Sequence, residues 1–124
     1  MSQDIIADAL NQMINSKRAG KKELEIKQHS KLLLSILAIA KLRGYVRNYK
    51  VENKVLKIEL GKLNGCKAVK PRFMVTVSEI EKYVKRYLPS KNIGVIILST
   101  SQGLMTHQTA EEKNTGGSLI AYLY

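Results

Sequence analysis

Residues 94–107 read Gly94-Val95-Ile96-Ile97-Leu98-Ser99-Thr100-Ser101-Gln102-Gly103-Leu104-Met105-Thr106-His107. Gly94 opens a run of aliphatic side chains with no polar alternation, the pattern of a strand buried on both faces. Ser99 to Gly103 are too small and polar to continue a core, so they are expected to leave it as a loop at the strand's end. Thr106 has the side chain of a helix cap, and a short helical turn is expected over residues 107–114. Gly116-Gly117 then turns the chain into a last strand, Leu119 to Tyr124, apolar enough to be held in a sheet.

Upstream, Lys67 to Val77 is extended and interrupted by Pro71. Ser78 and Glu81 have the spacing of a capping box. Ile80, Tyr83, Val84, Tyr87 and Leu88 follow at helical spacing and predict a helix stopped by Pro89, with both tyrosines buried. The break at Gly61 and Asn64-Gly65 places a boundary near residue 63.

In the first half, Asp4 is a candidate cap for a helix whose apolar stripe is Ile6, Leu10, Met13 and Ile14. That stripe ends at Asn15-Ser16, and Gly20 closes the segment. Leu24 and Ile26 alternate with Glu23, Glu25 and Lys27, a short half-buried strand. Ser30 is placed to cap a second helix over 31–43, apolar almost all round, with Gly44 in the left-handed position after it. Residues 45–51 and 54–60 predict a hairpin around Glu52-Asn53. The fold class is therefore α/β (α+β) with two small lobes. Residues 1–63 form an N-terminal α-β-α-β-β lobe, and 64–124 a β-rich lobe with short helices.

The chain has 124 residues and carries 21 Lys/Arg against 10 Asp/Glu, a net charge of +11. An excess of that size points to a polyanion, nucleic acid before anionic membrane. The charge is uneven: residues 1–93 hold 20 cations against 8 acids, whereas 94–124 hold only Lys113 against Glu111 and Glu112. Attraction must come from the first three quarters. Whatever the last quarter recognises is read by hydroxyls, amides and backbone. Cys66 is the single cysteine, so no internal disulfide can form. One Cys and two His are too few for an ordinary zinc site without carboxylates. The longest apolar run, near Leu32–Ala40, is broken by Ser35 and is far short of a membrane span. The start Met-Ser-Gln-Asp reads as no export signal.

Catalytic patterns are weak. Ser99, Thr100 or Ser101 with His107 would make a hydrolase, but the glycines of a nucleophile elbow are missing, and His107 reads as a surface helix residue. Cys66 beside Lys67 is a structural cysteine before it is a reactive one. His29 reads as loop, and no phosphate-cradling glycine motif occurs. Nucleic-acid binding has more support. Lys17, Arg18, Lys21 and Lys22 put four cations within six residues, followed by Lys27 and Lys31. Sixteen Lys against five Arg favour tracking a phosphate backbone over reading base edges. At least one of Gly116 and Gly117 is expected at positive φ, letting the backbone approach RNA or the Ser99–Gly103 loop.

Ser99 to His107, with Ala110 and Gly116-Gly117, closely resembles the C-terminal signature of ribosomal protein S-eight of the small subunit, the universal uS-eight family. Asp8-Ala9-Leu10 and Asn15 resemble its first-helix motif. Ser30-Lys31-Leu32 and Gly44-Tyr45-Val46 resemble its second helix and exit. Lys70-Pro71-Arg72-Phe73 and Leu88-Pro89-Ser90 are similar to the archaeal and eukaryotic branch. The resemblance implies a two-lobed protein that binds the central domain of small-subunit rRNA, with the C-terminal lobe as main reader. It places Ser99, Thr100, Ser101 and Gly103 on an RNA-contact loop and Gly116-Gly117 on the neighbouring turn. Ser118 stands where bacterial members carry Glu, so any interaction through that carboxylate is absent here. His29 stands where Pro or a small residue is common, and the hairpin at Glu52-Asn53 is trimmed.

The expected protein is a cytoplasmic, non-enzymatic component of the small ribosomal subunit, a ribonucleoprotein part of the translation machinery. Its partners are small-subunit rRNA and neighbouring small-subunit proteins, with no membrane, metal, cofactor or small-molecule substrate. The expected RNA-binding residues are Asn15, Lys17, Arg18, Lys21, Lys22, Ser30, Lys31, Ser99, Thr100, Ser101, Gln102, Gly103, Gly116 and Gly117. The alternative is a free RNA-binding regulator acting on mRNA.

Overall fold

The first apolar stripe becomes helix α1 (Ile5–Arg18), burying Ile6, Ala7, Ala9, Leu10, Met13 and Ile14. The structure is a computed structural model describing residues 5–70, 72–90 and 92–124. Asp4, read as the first cap, and Pro71 lie outside the described residues. The helix passes through Asn15-Ser16, because neither residue breaks a helix that Lys17 and Arg18 complete at its carbonyl end. Gly20 then reverses the chain at φ +80°.

Strand β1 (Glu23–Ile26) and helix α2 (Lys31–Leu42) follow. Ser30 caps α2 as expected, its hydroxyl accepting the Leu33 N–H at 3.2 Å. Leu33, Ile36, Leu37 and Ala40 are buried, while Leu32, Leu34 and Ile39 are half-buried. Gly44 takes φ +83°, the left-handed position past the Arg43 cap. Strands β2 (Val46–Glu52) and β3 (Val55–Leu60) form the expected hairpin. Its turn pair is Asn53-Lys54, one residue later than Glu52-Asn53, with φ 52° and 63°. Two positive φ values make the primed turn whose twist suits a hairpin, and Asn tolerates it well. The three strands are antiparallel in the order β1-β3-β2. Lys50 and Lys57 sit directly opposite each other, and Glu52 lies 3.3 Å from both ammonium groups, relieving their repulsion.

The chain divides into two compact units, Met1–Cys66 and Lys67–Tyr124. The division falls after the Asn64-Gly65 break because Leu63 and Cys66 are buried, and the Cys66 thiol hydrogen-bonds the Leu10 carbonyl of α1 at 3.3 Å.

The second sheet is β4 (Cys66–Ala68), β5 (Met74–Val75), β6 (Val95–Thr100), β7 (Gly103–Thr106) and β8 (Gly117–Leu123). Its order is β4-β8-β6-β7, with β5 also on β8. Helix α3 (Ile80–Tyr87) is preceded by a 3-10 turn, Val77–Glu79. The capping box lies two residues upstream of the Ser78/Glu81 reading. The Glu79 carboxylate accepts the Thr76 N–H at 2.9 Å and the Thr76 hydroxyl at 3.0 Å. Those bonds lower the pKa of Glu79. Ile80, Val84 and Leu88 are buried, but Tyr83 and Tyr87 are only half-buried. Helix α4 (His107–Glu112) starts at Thr106, whose hydroxyl accepts the Thr109 N–H.

The Ser99–Gly103 segment and the glycine pair also differ from expectation. Ser99 to Gly103 are not a free loop: Ser99 and Thr100 complete β6, Ser101-Gln102 turn, and Gly103 begins β7 at φ +110°. Gly116 and Gly117 are not at positive φ, which occurs among the described glycines only at 20, 44, 94 and 103. They are glycines because backbone passes too close for a side chain. A Cβ on Gly116 would strike the Val75 carbonyl oxygen, and one on Gly117 would lie 2.5 Å from the Ser99 carbonyl oxygen. Gly117→Ala is therefore expected to cost about 1–3 kcal/mol in urea unfolding, because Cβ must displace backbone. Unchanged stability would mean that β8 can shift freely there.

Candidate nucleic-acid interface

The C-terminal candidate site is the tip of the β6–β7 hairpin. Val95 to Leu98 are fully buried and anchor β6. Burying each such side chain contributes about 1.5–3 kcal/mol, so the strand is held firmly. Past Leu98 the strand emerges, with Ser99 exposed, Thr100 half-exposed and Ser101, Gln102 and Gly103 exposed. Pairing of Thr100 with Gly103 closes the turn. The Thr100 hydroxyl donates to the Gly103 carbonyl at 2.8 Å and accepts the Gln102 N–H at 3.1 Å. It thus serves the turn, leaving Ser99 and Ser101 as the hydroxyls presented outward. Gly117 backs this tip, its Cβ direction filled by the Ser99 carbonyl and by Thr100 Cγ2 at 2.8 Å. The close approach expected of the glycine pair is therefore made to the protein's own hairpin.

His107 is not a surface residue. It is 2% exposed, and its Nδ1 accepts the Ile96 N–H at 3.1 Å. The last β6–β7 pair is Ile97 with Thr106, so the imidazole takes up an amide beyond the end of β7. A hydrolase would need an accessible imidazole beside Ser99 or Ser101, and His107 is instead a structural acceptor.

The N-terminal candidate site is wider than the sequence cluster. Lys17, Lys21 and Lys22 share an open groove of about 1180 Å³ with Lys41, Arg47 and Lys62, against Glu23 and Glu59. Its floor includes Gly44 and Gly61, where two backbones cross: the Gly61 N–H reaches the Tyr45 carbonyl and the Lys62 N–H the Gly44 carbonyl, both at 2.9 Å. Lys17 Nζ donates to the Gly61 carbonyl at 2.9 Å and Lys41 Nζ to Asn48 Oδ1 at 3.2 Å, both at the exposed surface. Sequence spacing missed Lys41, Arg47 and Lys62 because only folding of β2 and β3 brings them beside α1. Arg18 is exposed but does not line the groove. Asn15 lines an adjoining cleft that shares Lys21 and Glu23 with the groove and adds Gln12, Ser16 and Glu25. The Ser30 hydroxyl oxygen is engaged in capping α2, and Lys31 is exposed.

Matching the chain against family models gives Ribosomal protein S8 over residues 4–124. A relative 44% identical over 129 residues, covering 100% of both chains, is the small ribosomal subunit protein uS8 of Nanoarchaeum equitans (strain Kin4-M). The chain belongs to the ribosomal protein S8 family. S8 is a family of ribosomal proteins and not of enzymes, which accords with a His107 imidazole buried away from solvent. Two antiparallel sheets with interspersed helices are consistent with the S8 fold. Among the described residues, no three His, Cys, Asp or Glu side chains gather as metal ligands. No described helix is long and apolar enough to cross a membrane.

Burial pushes the Cys66 thiol up to about 12, and the Arg18 charge offsets only part of this. A thiol held neutral is neither a nucleophile nor a metal ligand. Its raised folded pKa gives stability that is complete below about pH 9, the unfolded value, and lost as pH climbs toward 12. Cys66→Ala is expected to flatten the alkaline limb of a stability–pH curve by up to about 1.4 kcal/mol per pH unit. Native protein should resist alkylation at pH 8 until it is denatured. A second expectation separates the hydroxyls. Thr100→Val should cost about 0.5–1.5 kcal/mol of stability by removing two turn hydrogen bonds. Ser101→Ala should stay within about 0.5 kcal/mol of the parent, as a surface change does. Equal losses would show that Ser101 also serves the turn.

Proposed function

We propose that this S8-family chain is a structural constituent of the small ribosomal subunit, acting in the cytoplasm on the ribosome, and that it binds the central domain of small-subunit rRNA to support its folding and assembly. The observation that carries the reading is the hairpin tip. Two exposed hydroxyls, Ser99 at the end of β6 and Ser101 in the turn after it, follow a strand whose base is fully buried and whose turn is closed by Thr100. A hydrogen bond to RNA replaces one to water, so its net gain is only about 0.5–1.5 kcal/mol. Hydroxyls fixed in advance keep that gain, whereas mobile ones lose it to ordering. Such a tip suits an irregular RNA helix, where shape and sugar hydroxyls are the readable features.

The groove of Lys17, Lys21, Lys22, Lys41, Arg47 and Lys62 supplies the complementary chemistry: long-range attraction and phosphate neutralisation. Arg18 and Lys31 add exposed charge, and Asn15 an amide, at the same end of the chain. Gln102, Gly103 and Gly116 complete the C-terminal surface, with Gly117 buried behind it. Ser30 contributes by holding Lys31 at the start of α2.

A salt titration of RNA binding separates the two surfaces. Replacing Lys21 and Lys62 by Ala should make the log–log salt slope shallower by about 0.7–0.9 for each phosphate that is no longer neutralised. Ser101→Ala should weaken binding by about 1–3 kcal/mol, the cost of leaving a buried RNA group unpaired, with the slope unchanged. Full affinity in both the Ser99 and Ser101 variants, or a weakening with a shallower slope, would overturn the hairpin assignment. Sedimentation of cell extract distinguishes a subunit constituent, which travels with small subunits, from a free mRNA regulator, which does not.

A further inference from the structure

Five of the chain's seven aromatic side chains form one continuous row in the C-terminal unit. Phe73 meets Tyr83 at 5.1 Å between ring centroids, Tyr83 meets Tyr87 at 6.2 Å, Tyr87 meets Tyr122 at 5.0 Å, and Tyr122 meets Tyr124 at 6.3 Å. The last three pairs are near-parallel, at 16°, 18° and 2°. All five residues are half-buried, packed against the core on their inner side and open on the outer. Sealing that core would need only apolar side chains, yet four of the five carry a phenol.

The row has a cationic border. Lys82 Nζ lies 5.5 Å from the Tyr83 centroid, and the Arg86 guanidinium carbon 5.8 Å from that of Tyr87. Four residues apart on α3, the two cations share the aromatic side of the helix. Glu81 and Lys85, also four apart, offset each other in charge elsewhere on it. Tyr83 and Tyr87 each meet two neighbouring rings and one of these cations. Ring edges carry the positive end of the aromatic quadrupole, so they add to the Lys82 and Arg86 charge instead of opposing it. The surface combines apolar area, hydrogen-bonding hydroxyls and positive potential. Tyr, Phe and Arg are also the side chains enriched at protein–protein contacts.

We propose that the Phe73–Tyr83–Tyr87–Tyr122–Tyr124 row is a docking surface for an acidic protein segment, whose apolar side chains lie along the rings and whose carboxylates meet Lys82 and Arg86. A base-stacking RNA strand fits it less well, because stacking needs open ring faces, and Tyr83 and Tyr87 each already meet two rings and a cation. The proposal does not depend on the hairpin tip or the lysine groove, which belong to RNA.

The test replaces Tyr83 in the full chain by a photoreactive benzoyl-phenylalanine and irradiates cells carrying it. Crosslinked products are read by mass spectrometry wherever the chain sediments, so the outcome is independent of ribosome association. The expected product is a peptide of net negative charge from another protein. Its synthetic form should bind the isolated full chain, and Lys82→Glu with Arg86→Glu should weaken that binding at least tenfold. Lys41→Glu with Lys62→Glu, in the other unit, should leave it within twofold. Both cationic pairs are replaced at exposed positions, and circular dichroism confirms folding of each variant. A crosslink to RNA, a crosslinked peptide indifferent to the Lys82 and Arg86 reversals, or no crosslink at Tyr83 would overturn the proposal.

Discussion

The close passage of β8 beside β6 at Gly117 is the constraint on which the C-terminal candidate site depends. The Ser99 carbonyl occupies the space that any side chain at 117 would need. With the backbone seated there, Ser99 and Ser118 pair across the strands, and Thr100 is carried out of the core at a fixed height. The turn beyond it is then closed by one hydroxyl, that of Thr100. At the opposite end of the same strand, His107 fills the amide position that β7 is too short to reach. Strand β6 is thus pinned by a glycine at one end and an imidazole at the other. The exposed serines inherit their rigidity from both.

The two candidate RNA surfaces work by different physics. Lysines act at a distance, tolerate variation in geometry and respond to salt. Hydroxyls act only at contact, require close placement, and are indifferent to screening. The chain distributes them accordingly. Cations crowd an open groove in Met1–Cys66, where Gly44 and Gly61 keep the floor low. Hydroxyls stand at the end of the most deeply buried strand of Lys67–Tyr124. A lysine needs little support from the fold, whereas a reading serine needs a great deal.

Several local elements were legible because their causes are local. The Ser30 cap, the left-handed Gly44, the Thr106 cap, the stripe of α1 and the Ile80, Val84 and Leu88 positions of α3 and its C-cap each follow from spacing within one or two turns, whereas Tyr83 and Tyr87, read as buried, are half-buried. The misplaced details have local competitors. Both Thr76-x-x-Glu79 and Ser78-x-x-Glu81 satisfy the capping pattern, and the choice falls to the one whose 3-10 turn lets Ile80 and Val84 reach the core. Likewise Ser99 to Gly103 read as a loop by polarity, although a hairpin end exposed on one side has the same composition.

By itself the sequence determined the α/β class, the basic character, the uneven placement of charge and the S8-family signature, all properties of residue type and near-neighbour spacing. Only the tertiary structure decided what each candidate residue does. It buried His107 as an acceptor for Ile96, committed the Thr100 hydroxyl to Gly103, and brought Lys41, Arg47 and Lys62 beside Lys17 and Lys21. It also gave the Gly116-Gly117 pair a steric reason instead of a positive φ. The reason is that a hydrogen bond, a close approach or a shared groove is a relation between residues far apart in the chain. Its distance is set by packing, and no local pattern carries that distance.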